Sequence, residues 1–176
     1  RGLTVRFEEV VFAYPGSERP VLDGLNLTLE PGSTVALVGE NGAGKTTLPK
    51  LLLGLYQPTG GRITVNGTDL AGIEPAVWRR RAAVVFQDYM RYELTARENI
   101  GFGDLRRIED MPAIRAAATK SGADEVVATL PSDYETVLGK AWDDNGQDLS
   151  TGQWQKLVIA RACLREASLL ILDEPT

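Results

Sequence analysis

The sequence predicts an α/β fold that combines a parallel-sheet core with an antiparallel β-subdomain at the N-terminus and a helical subdomain. Residues 3–14 and 25–29 alternate between apolar and polar side chains, which is typical of half-buried strands. A glycine-rich loop at residues 39–47 lies between an apolar run and a helical pattern, and residues 95–131 repeat apolar side chains at helical spacing. With 176 residues, 43% hydrophobic and 24% charged, the composition is that of one ordinary globular domain.

Residues 1–30 are predicted to form the antiparallel β-subdomain. The first strand ends in a Pro15-Gly16 turn, and a Pro31-Gly32 turn follows the second strand. Tyr14 stands where the chain leaves the first strand. Its ring could stack on a nucleotide base, or it could be a strand-end aromatic that its neighbours half bury.

Residues 33–90 are predicted to form a P-loop core around the sequence Gly-Glu-Asn-Gly-Ala-Gly-Lys-Thr-Thr at 39–47. The apolar residues 35–38 predict a buried parallel strand before this loop. Glycines allow the backbone N–H groups to point inward, and the following helix adds the positive end of its dipole, so the loop suits phosphate. Lys45 can contact the β and γ phosphates, and the Thr46 hydroxyl can bind Mg²⁺. The alternative is a glycine-rich turn with a solvated lysine.

Three further patterns in this core give local predictions. Pro49 lacks an N–H and crowds the carbonyl four residues back, which predicts a kinked or loosened helix. Asn66-Gly67 predicts a tight hairpin after a strand at 62–65. The run at 78–81, Trp-Arg-Arg-Arg, predicts a solvated helix end beside a snorkelling tryptophan.

Gln87 directly follows an apolar strand predicted at 82–86. It therefore stands at the carboxyl end of a strand, where ligands bind in open α/β sheets. Its amide could bind Mg²⁺ or the attacking water. A lone glutamine in such a place usually has no function. The interpretation of Gln87 as a functional residue is therefore supported only by its occurrence together with the other motifs.

Residues 91–148 are predicted to form a helical subdomain and a loop. Thr95, Asp110 and Ser121 are candidate helix caps. The apolar stripe that the helices would bury consists of Ile114, Ala117, Ala118, Val126, Val127 and Leu130. Residues 132–148 are rich in Asp, Gly and Asn, which predicts an exposed loop.

Residues 149–176 are predicted to contain a capped helix and a buried strand. Ser150 is a candidate N-cap, and the exposed helix N-terminus that it begins could bind a second phosphate. An ordinary capped helix explains the pattern equally well. The strand at 169–172 ends in two carboxylates, of which Asp173 would hold Mg²⁺ through water and Glu174 could activate a hydrolytic water. The chain has no histidine, so catalysis would depend on carboxylates, lysine and Mg²⁺.

Charge and composition limit the classes of partner and location. A net charge of −5 and a pI of about 4.9 give no reason to expect nucleic acid. The single cysteine, Cys163, cannot form an internal disulfide, and the chain has no run of some 18 apolar residues that could span a bilayer. The sequence therefore predicts a cytosolic chain in which any membrane role depends on a partner.

Together and in this order, Tyr14, the loop at 39–47, Gln87, residues 149–153 and residues 169–174 resemble the ATP-binding cassette of ABC transporters. The resemblance spans nearly the whole chain and implies one ATP-binding domain at 1–176. It implies that Tyr14 stacks on adenine, that 39–47 is Walker A, and that Gln87 is the Q-loop glutamine. Residues 149–153 resemble the signature motif, and 169–174 resemble Walker B.

The resemblance implies a residue set for MgATP. Its catalytic residues would be Glu174, Lys45 and Gln87, and its metal-binding residues Thr46, Gln87 and Asp173. Its nucleotide-binding residues would be Tyr14, Gly39, Asn41, Gly42, Ala43, Gly44, Lys45, Thr46, Thr47, Ser150, Gly152 and Gln153.

The family also implies partners. Two cassettes would pair head-to-tail, so that each ATP lies between the Walker A loop of one and the signature motif of the other. Closure on ATP would move transmembrane domains, fused or separate, from the cytoplasmic face of the membrane. The stretch from Gln87 to Ile100 and the sequence Gly-Gln-Asp at 146–148 most resemble exporter-type cassettes.

Three features depart from the family pattern, and the first is Pro49, which is unusual in the Walker A helix. Thr151 replaces the first glycine of the signature motif, and its β-branched side chain narrows the backbone freedom. The sequence ends at Thr176, directly after Walker B, so the resemblance implies a truncated cassette whose C-terminal part, including the switch histidine, is missing. A module that binds ATP without hydrolysing it is therefore one alternative. A soluble ABC ATPase of DNA repair or translation is the other.

Overall fold

A computed structural model describes residues 2–40, 43–140 and 145–173, and the chain divides into two compact units, Arg1–Ala82 and Ala83–Thr176. The first unit is built on a four-stranded antiparallel sheet with the strand order β2-β1-β3-β4. Its elements are β1 (Val5–Phe12), β2 (Leu22–Leu29), α1 (Thr47–Leu52), β3 (Gly60–Val65), β4 (Thr68–Asp69), a 3₁₀ turn (Leu70–Gly72) and α2 (Pro75–Arg79).

A β-bulge in β1 resets which side chains enter the core. Val5 and Phe7 are buried, and after the register shift Val10 and Phe12 are buried instead of the next odd-numbered residues. Glu9 lies in the bulge with φ +49°. An inserted residue moves all later side chains to the other face of a strand. The bulge thus keeps the apolar side chains of both halves of β1 inside.

The hairpin predicted from Asn66-Gly67 is confirmed. These two residues connect β3 to β4 with φ values of +49° and +82°. Positive φ at both central positions is the geometry that matches the twist of paired strands.

The strand predicted at 35–38 is contradicted. In the part of the chain that the structure describes, residues 33–40 belong to neither sheet, and Val38 is 91% exposed. An apolar run fits a buried strand, but a strand also requires a neighbouring strand to pair with its backbone.

Helix α1 ends at Leu52, and Pro49 does not kink it by a lost hydrogen bond. The helix begins at Thr47, so Pro49 occupies its third position. The first four amides of a helix have no intrahelical acceptor, so the missing N–H costs no bond there. The carbonyl of Pro49 accepts a hydrogen bond from the Leu53 N–H at 2.9 Å.

The tryptophan of the basic run is buried, which corrects the prediction of a snorkelling side chain. Trp78 is 2% exposed, and its indole N–H donates to the carbonyl of Leu52. Arg79 donates to the carbonyls of Leu53 at 3.1 Å and Gly54 at 3.3 Å. The two side chains therefore satisfy carbonyls at the C-terminal end of α1.

The second unit packs helices around α6 and contains a two-stranded parallel sheet of β5 and β6. Its elements are β5 (Ala82–Val85), α3 (Ala96–Gly101), a 3₁₀ turn (Leu105–Arg107), α4 (Met111–Ser121), α5 (Ala123–Val127), a 3₁₀ turn (Asp133–Glu135), α6 (Thr151–Leu164) and β6 (Leu169–Leu172). The predicted apolar stripe enters this core, with Ile114 and Ala118 fully buried. Among the described residues, no helix is long and apolar enough to cross a membrane.

Three of the four predicted caps are confirmed. The side chains of Thr95, Asp110 and Ser150 accept backbone hydrogen bonds at the starts of α3, α4 and α6. The N-cap of α5 is Gly122, not Ser121. Gly122 has φ +70°, a conformation that favours glycine where one helix ends and the next begins.

Part of the predicted loop at 132–148 is instead buried. Tyr134, Thr136 and Leu138 are 6%, 5% and 0% exposed, and Val137 and Leu138 form bridges to Thr95 and Gln147. Because these three side chains alternate with the exposed Glu135 and the half-buried Val137, they have the period of a strand rather than that of a solvated loop. Residues 141–144 lie outside the described part of the chain.

Candidate functional site

In the glycine-rich loop of the first unit, the side chain of Lys45 folds back onto the backbone of the loop. Lys45 Nζ lies 2.5 Å from the carbonyl oxygen of Gly39 and 3.4 Å from that of Glu40. The N–H of Ala43 donates to the Glu40 carbonyl at 3.2 Å. The Lys45 ammonium group thus donates to two carbonyl groups of its own loop. Asn41 and Gly42 lie outside the described residues.

Gly44 is required by both backbone and packing. Its φ is +83°, and a Cβ there would lie 2.9 Å from Leu22 Cδ2 and 3.1 Å from Val21 Cγ1. Side chains of ordinary residues rarely adopt this φ. The start of β2 therefore lies close to the loop at Gly44, three residues before α1 begins.

Thr46 and Thr47 provide two hydroxyls in different surroundings. Thr46 is exposed and occupies the N-cap position of α1, where its side chain makes no capping hydrogen bond. Thr47 is 4% exposed. An exposed hydroxyl beside a phosphate-binding loop is a suitable hard oxygen ligand for Mg²⁺.

Tyr14 lies against the same helix. Its hydroxyl is 3.0 Å from Thr47 Oγ1, and Lys50 Nζ is 3.4 Å from that hydroxyl. Phe12 and Tyr56 meet the Tyr14 ring edge to face, with centroids at 5.0 and 5.4 Å. The structure therefore brings together the predicted base-stacking ring and the helix that follows the predicted phosphate loop, although 33 residues separate Tyr14 from Thr47.

Gln87 and Asp173 lie at one edge of the two-stranded sheet of the second unit. The N–H of Asp173 donates to the carbonyl of Val85 at 2.9 Å, two residues before Gln87. Asp173 is 8% exposed, and Gln87 is exposed. The strand at 169–172 is only half buried, with Leu170 45% exposed. Glu174, the predicted catalytic residue, lies outside the described part of the chain.

The predicted metal-binding residues belong to different units. Thr46 is in the first unit, whereas Gln87 and Asp173 are in the second. Within the described ranges, no cluster of three acidic, cysteine or histidine residues could hold a metal ion. Hydroxyl, amide and carboxylate oxygens are nevertheless the ligand types that Mg²⁺ takes alongside phosphate and water.

The predicted signature residues begin α6 as a capping box. Gln153 Oε1 accepts from the Ser150 N–H at 2.9 Å, and Ser150 Oγ accepts from the Gln153 N–H at 3.3 Å. A Cβ on Gly152 would meet no atom within 4 Å. Packing within the chain does not require glycine there, so the exposed surface beside it is open to a ligand or a partner.

Tyr89 was not predicted as a functional residue, yet it joins two predicted motifs. Its hydroxyl donates to the carbonyl of Thr151 at 3.2 Å, across 62 residues of sequence. Tyr89 follows Gln87 by two positions, and Thr151 is the first residue of α6. An aromatic residue so close to Gln87 was the only signal in the sequence.

A half-buried arginine, Arg161, holds the segment that follows Tyr89. Arg161 on α6 donates to the Asn99 carbonyl at 2.8 Å and to the Met90 carbonyl at 3.2 Å, and its guanidinium stacks 4.8 Å from the Tyr92 ring centroid. Asn99 is fully buried and donates to the carbonyl of Tyr92 at 2.8 Å. Burial lowers the pKa of Arg161. The polar network therefore links α6, α3 and the chain after Gln87.

A glycine-rich loop that carries a lysine directly before a helix is typical of nucleotide-binding proteins of the P-loop class. A model of the ABC transporter family matches residues 22–176, and the chain belongs to this family. Proteins of this family generally bind ATP with Mg²⁺ and have ATPase activity.

Relatives and a solved structure support the exporter-type resemblance. The chain is 41% identical over 173 residues to a subtilin transport ATP-binding protein of Bacillus subtilis, covering 98% of this chain and 28% of that protein. It is 45% identical over 172 residues to an ATP-dependent lipid A-core flippase of Dechloromonas aromatica, with the same coverages. A bacterial Atm1-family ABC exporter solved with ATP bound matches with a TM-score of 0.88 and 34% identity, covering 100% of this chain and 30% of that chain.

The chain thus spans less than a third of the length of these relatives. The predicted family and the α/β fold class with antiparallel and parallel sheets are confirmed.

Proposed function

We propose that this chain binds MgATP through the loop at 39–47 and that, in the intact protein, ATP hydrolysis powers transport of a substrate across a membrane. The observation that supports this most directly is the placement of Lys45 Nζ within the loop, 2.5 Å from the Gly39 carbonyl, where the φ of Gly44 turns the backbone into α1. A lysine held in a glycine-rich loop directly before a helix is suited to binding a polyphosphate.

The main candidate residues differ in their roles in this proposal. Lys45 binds the β and γ phosphates, and the ring of Tyr14 stacks on the base. Thr46, Gln87 and Asp173 supply oxygen ligands for Mg²⁺ or its waters, and Glu174 aligns the hydrolytic water. Bound Mg²⁺ would neutralise phosphate charge during the reaction.

The exposed start of α6 fits a role in a pair of cassettes. Ser150, Gly152 and Gln153 would bind the ATP held by the Walker A loop of a second cassette, head-to-tail. Gly152 has no packing reason to be glycine, which supports close approach of a ligand to its backbone. Transmembrane domains, fused or separate, would complete the transporter, and the cassette would lie at the cytoplasmic face.

In this proposal residues 1–176 form one ATP-binding domain. Its parts are the β-subdomain at 1–30, the P-loop core at 33–90, the helical subdomain and loop at 91–148, and the signature helix with Walker B at 149–176. The relatives' names refer to different cargoes, subtilin and lipid A-core, so no transported substrate is assigned.

Calorimetric titration of MgATP into the chain tests the binding part of the proposal. Wild-type protein should bind, and Lys45→Ala should weaken binding at least tenfold because a charge-assisted contact to phosphate is lost. Lys120→Ala, which removes an exposed lysine of α4, is the matched control and should bind like wild type. Equal binding by Lys45→Ala and wild type would refute the role of the loop.

Phosphate release measured on the same samples separates an ATPase from a module that only binds ATP. Release by wild type that disappears in Glu174→Gln supports the hydrolytic role. Binding without release by wild type would favour the binding-only alternative.

A further inference from the structure

Three side chains of the first unit form a chain of polar contacts that leads to the phosphate loop. Lys50 Nζ lies 3.4 Å from the Tyr14 hydroxyl, which in turn lies 3.0 Å from Thr47 Oγ1. Lys50 also lies 5.4 Å from the centroid of the Tyr14 ring. Thr47 directly follows Lys45 and Thr46 and is the first residue of α1.

The chemistry of these groups indicates which of them donates and which accepts in each hydrogen bond. An ammonium group can only donate hydrogen bonds, so the Tyr14 oxygen accepts from Lys50. The Tyr14 hydroxyl can then donate its own proton to Thr47 Oγ1. Once Thr47 Oγ1 accepts this bond, its own proton is available to an acceptor such as a phosphate oxygen.

The Tyr14 side chain is held by contacts on several sides. Phe12 and Tyr56 pack against its ring edge to face, an arrangement that stabilises aromatic pairs beyond their buried area. Thr47 is 4% exposed, and β-branched side chains have few rotamers in a helix. The Tyr14 hydroxyl therefore meets a threonine whose orientation is already restricted.

We propose that Tyr14, supported by Lys50, positions the Thr47 hydroxyl as a hydrogen-bond donor to the phosphates of the nucleotide. Tyr14 then serves two ends of one ligand, because its ring contacts the base while its hydroxyl acts through Thr47 on the phosphates. In this arrangement it is a positioning residue for the phosphate loop. The inference rests on the proposed function, since it assumes that the loop binds a nucleotide.

Inorganic tripolyphosphate separates the two roles because it has phosphates and no base. We would measure dissociation constants of Mg-tripolyphosphate and MgATP for wild type and Tyr14→Phe, which keeps the ring and removes the hydroxyl. The expected result is a loss of affinity of about three- to tenfold for both ligands, the size of one hydrogen bond. Tyr56→Phe, a change in the neighbouring ring, is the control and should leave both constants unchanged.

A double-mutant cycle tests whether the hydroxyl acts through Thr47. In a Thr47→Val background, Tyr14→Phe should change tripolyphosphate affinity by less than about 1.5-fold, because the residue through which it acts is gone. If Thr47→Val fails to fold, as judged by its thermal melt, Thr47→Ala takes its place. Lys50→Met should lower affinity in wild type more than it does in a Tyr14→Phe background.

The possible outcomes are distinguishable. Unchanged tripolyphosphate affinity in Tyr14→Phe would overturn the inference and leave the proposed function intact. Equal effects of Tyr14→Phe with and without Thr47→Val would also overturn it, because the hydroxyl would then act by another route. If wild type binds neither ligand, the proposed function fails and the inference fails with it.

Discussion

At the scale of single residues, Gly44 and Gly54 form a natural comparison. Both have positive φ, +83° and +64°, but a Cβ at Gly44 would crowd Val21 and Leu22, whereas a Cβ at Gly54 would meet nothing within 4 Å. Two separate restrictions therefore act on Gly44 and one acts on Gly54. Adding a side chain should therefore disturb the structure more at Gly44 than at Gly54.

We expect Gly44→Ala to lower the free energy of unfolding by about 2–4 kcal/mol. This cost is the sum of the backbone strain of a positive φ and the overpacking of the new Cβ. Gly54→Ala should cost about 1–2 kcal/mol because only the backbone is strained. Urea unfolding of both variants measures the difference. Equal losses of unfolding free energy in the two variants would show that Val21 and Leu22, at the start of β2, move aside for the new Cβ without cost.

Asp104 gives a residue-scale prediction for acid stability. Its hydrogen bonds from the Arg106 side chain hold the pKa of the Asp104 carboxyl at about 2, below its ordinary value of 3.8. Because the pKa is lower in the folded chain, the ionised carboxylate stabilises the fold above its unfolded pKa. This stabilisation is lost as the pH falls from about 4 to 2.

The comparison of wild type with Asp104→Asn checks whether this stabilisation is lost, rather than gained, as the pH falls. The difference in unfolding free energy should stay constant from pH 7 to about 5 and then shrink between about pH 4 and 2. A difference that stays the same at pH 2 would contradict the assigned pKa. Asp148→Asn, at a carboxylate 73% exposed and 3.8 Å from Lys140 Nζ, is the control.

At the scale of elements, α1 depends on α2 for its C-terminal end. The six residues of α1 are too few for a stable isolated helix. The indole of Trp78 and the guanidinium of Arg79 donate to the carbonyls that follow the last helical turn. The helix that follows the glycine-rich loop is therefore fixed at its far end by side chains about 26 residues later in the sequence.

We expect Trp78→Phe to lower the free energy of unfolding by about 1–3 kcal/mol, because it leaves the buried Leu52 carbonyl without its donor while keeping an aromatic ring. Chemical denaturation measures this cost. Arg80→Gln is the control, since Arg80 donates only to Ala76 within its own helix among the described residues, and it should change stability by less than about 0.5 kcal/mol. A similar cost for both variants would contradict the role of the indole.

What the sequence predicted well was local. The Asn66-Gly67 hairpin and the caps at Thr95, Asp110 and Ser150 each depend on a few adjacent residues, so short patterns suffice. The motif residues were likewise found because phosphate loops and capped helices have fixed spacings. Their roles in binding and catalysis remain predictions.

What the sequence failed to predict depends on distant neighbours. The strand at 35–38 lacked a pairing partner, and the burial of Trp78 was set by carbonyls of α1. Tyr89 and Arg161 were missed because their partners lie 62 or more residues away. Such contacts leave no periodic signal in the sequence.

At the scale of the whole molecule, the predicted site residues are distributed over the two compact units of the chain. The loop at 39–47 with Tyr14 belongs to the first unit, and Gln87, Asp173 and the start of α6 belong to the second. Two cassettes in a head-to-tail pair would share each ATP, so catalysis should depend on the concentration of the chain.

Steady-state MgATP hydrolysis across a range of chain concentrations, with Glu174→Gln as the control, tests this claim most directly. We predict turnover per molecule that rises with the concentration of the chain and disappears in Glu174→Gln while ATP binding is kept. Turnover per molecule that is independent of concentration, or equal in Glu174→Gln, would contradict it.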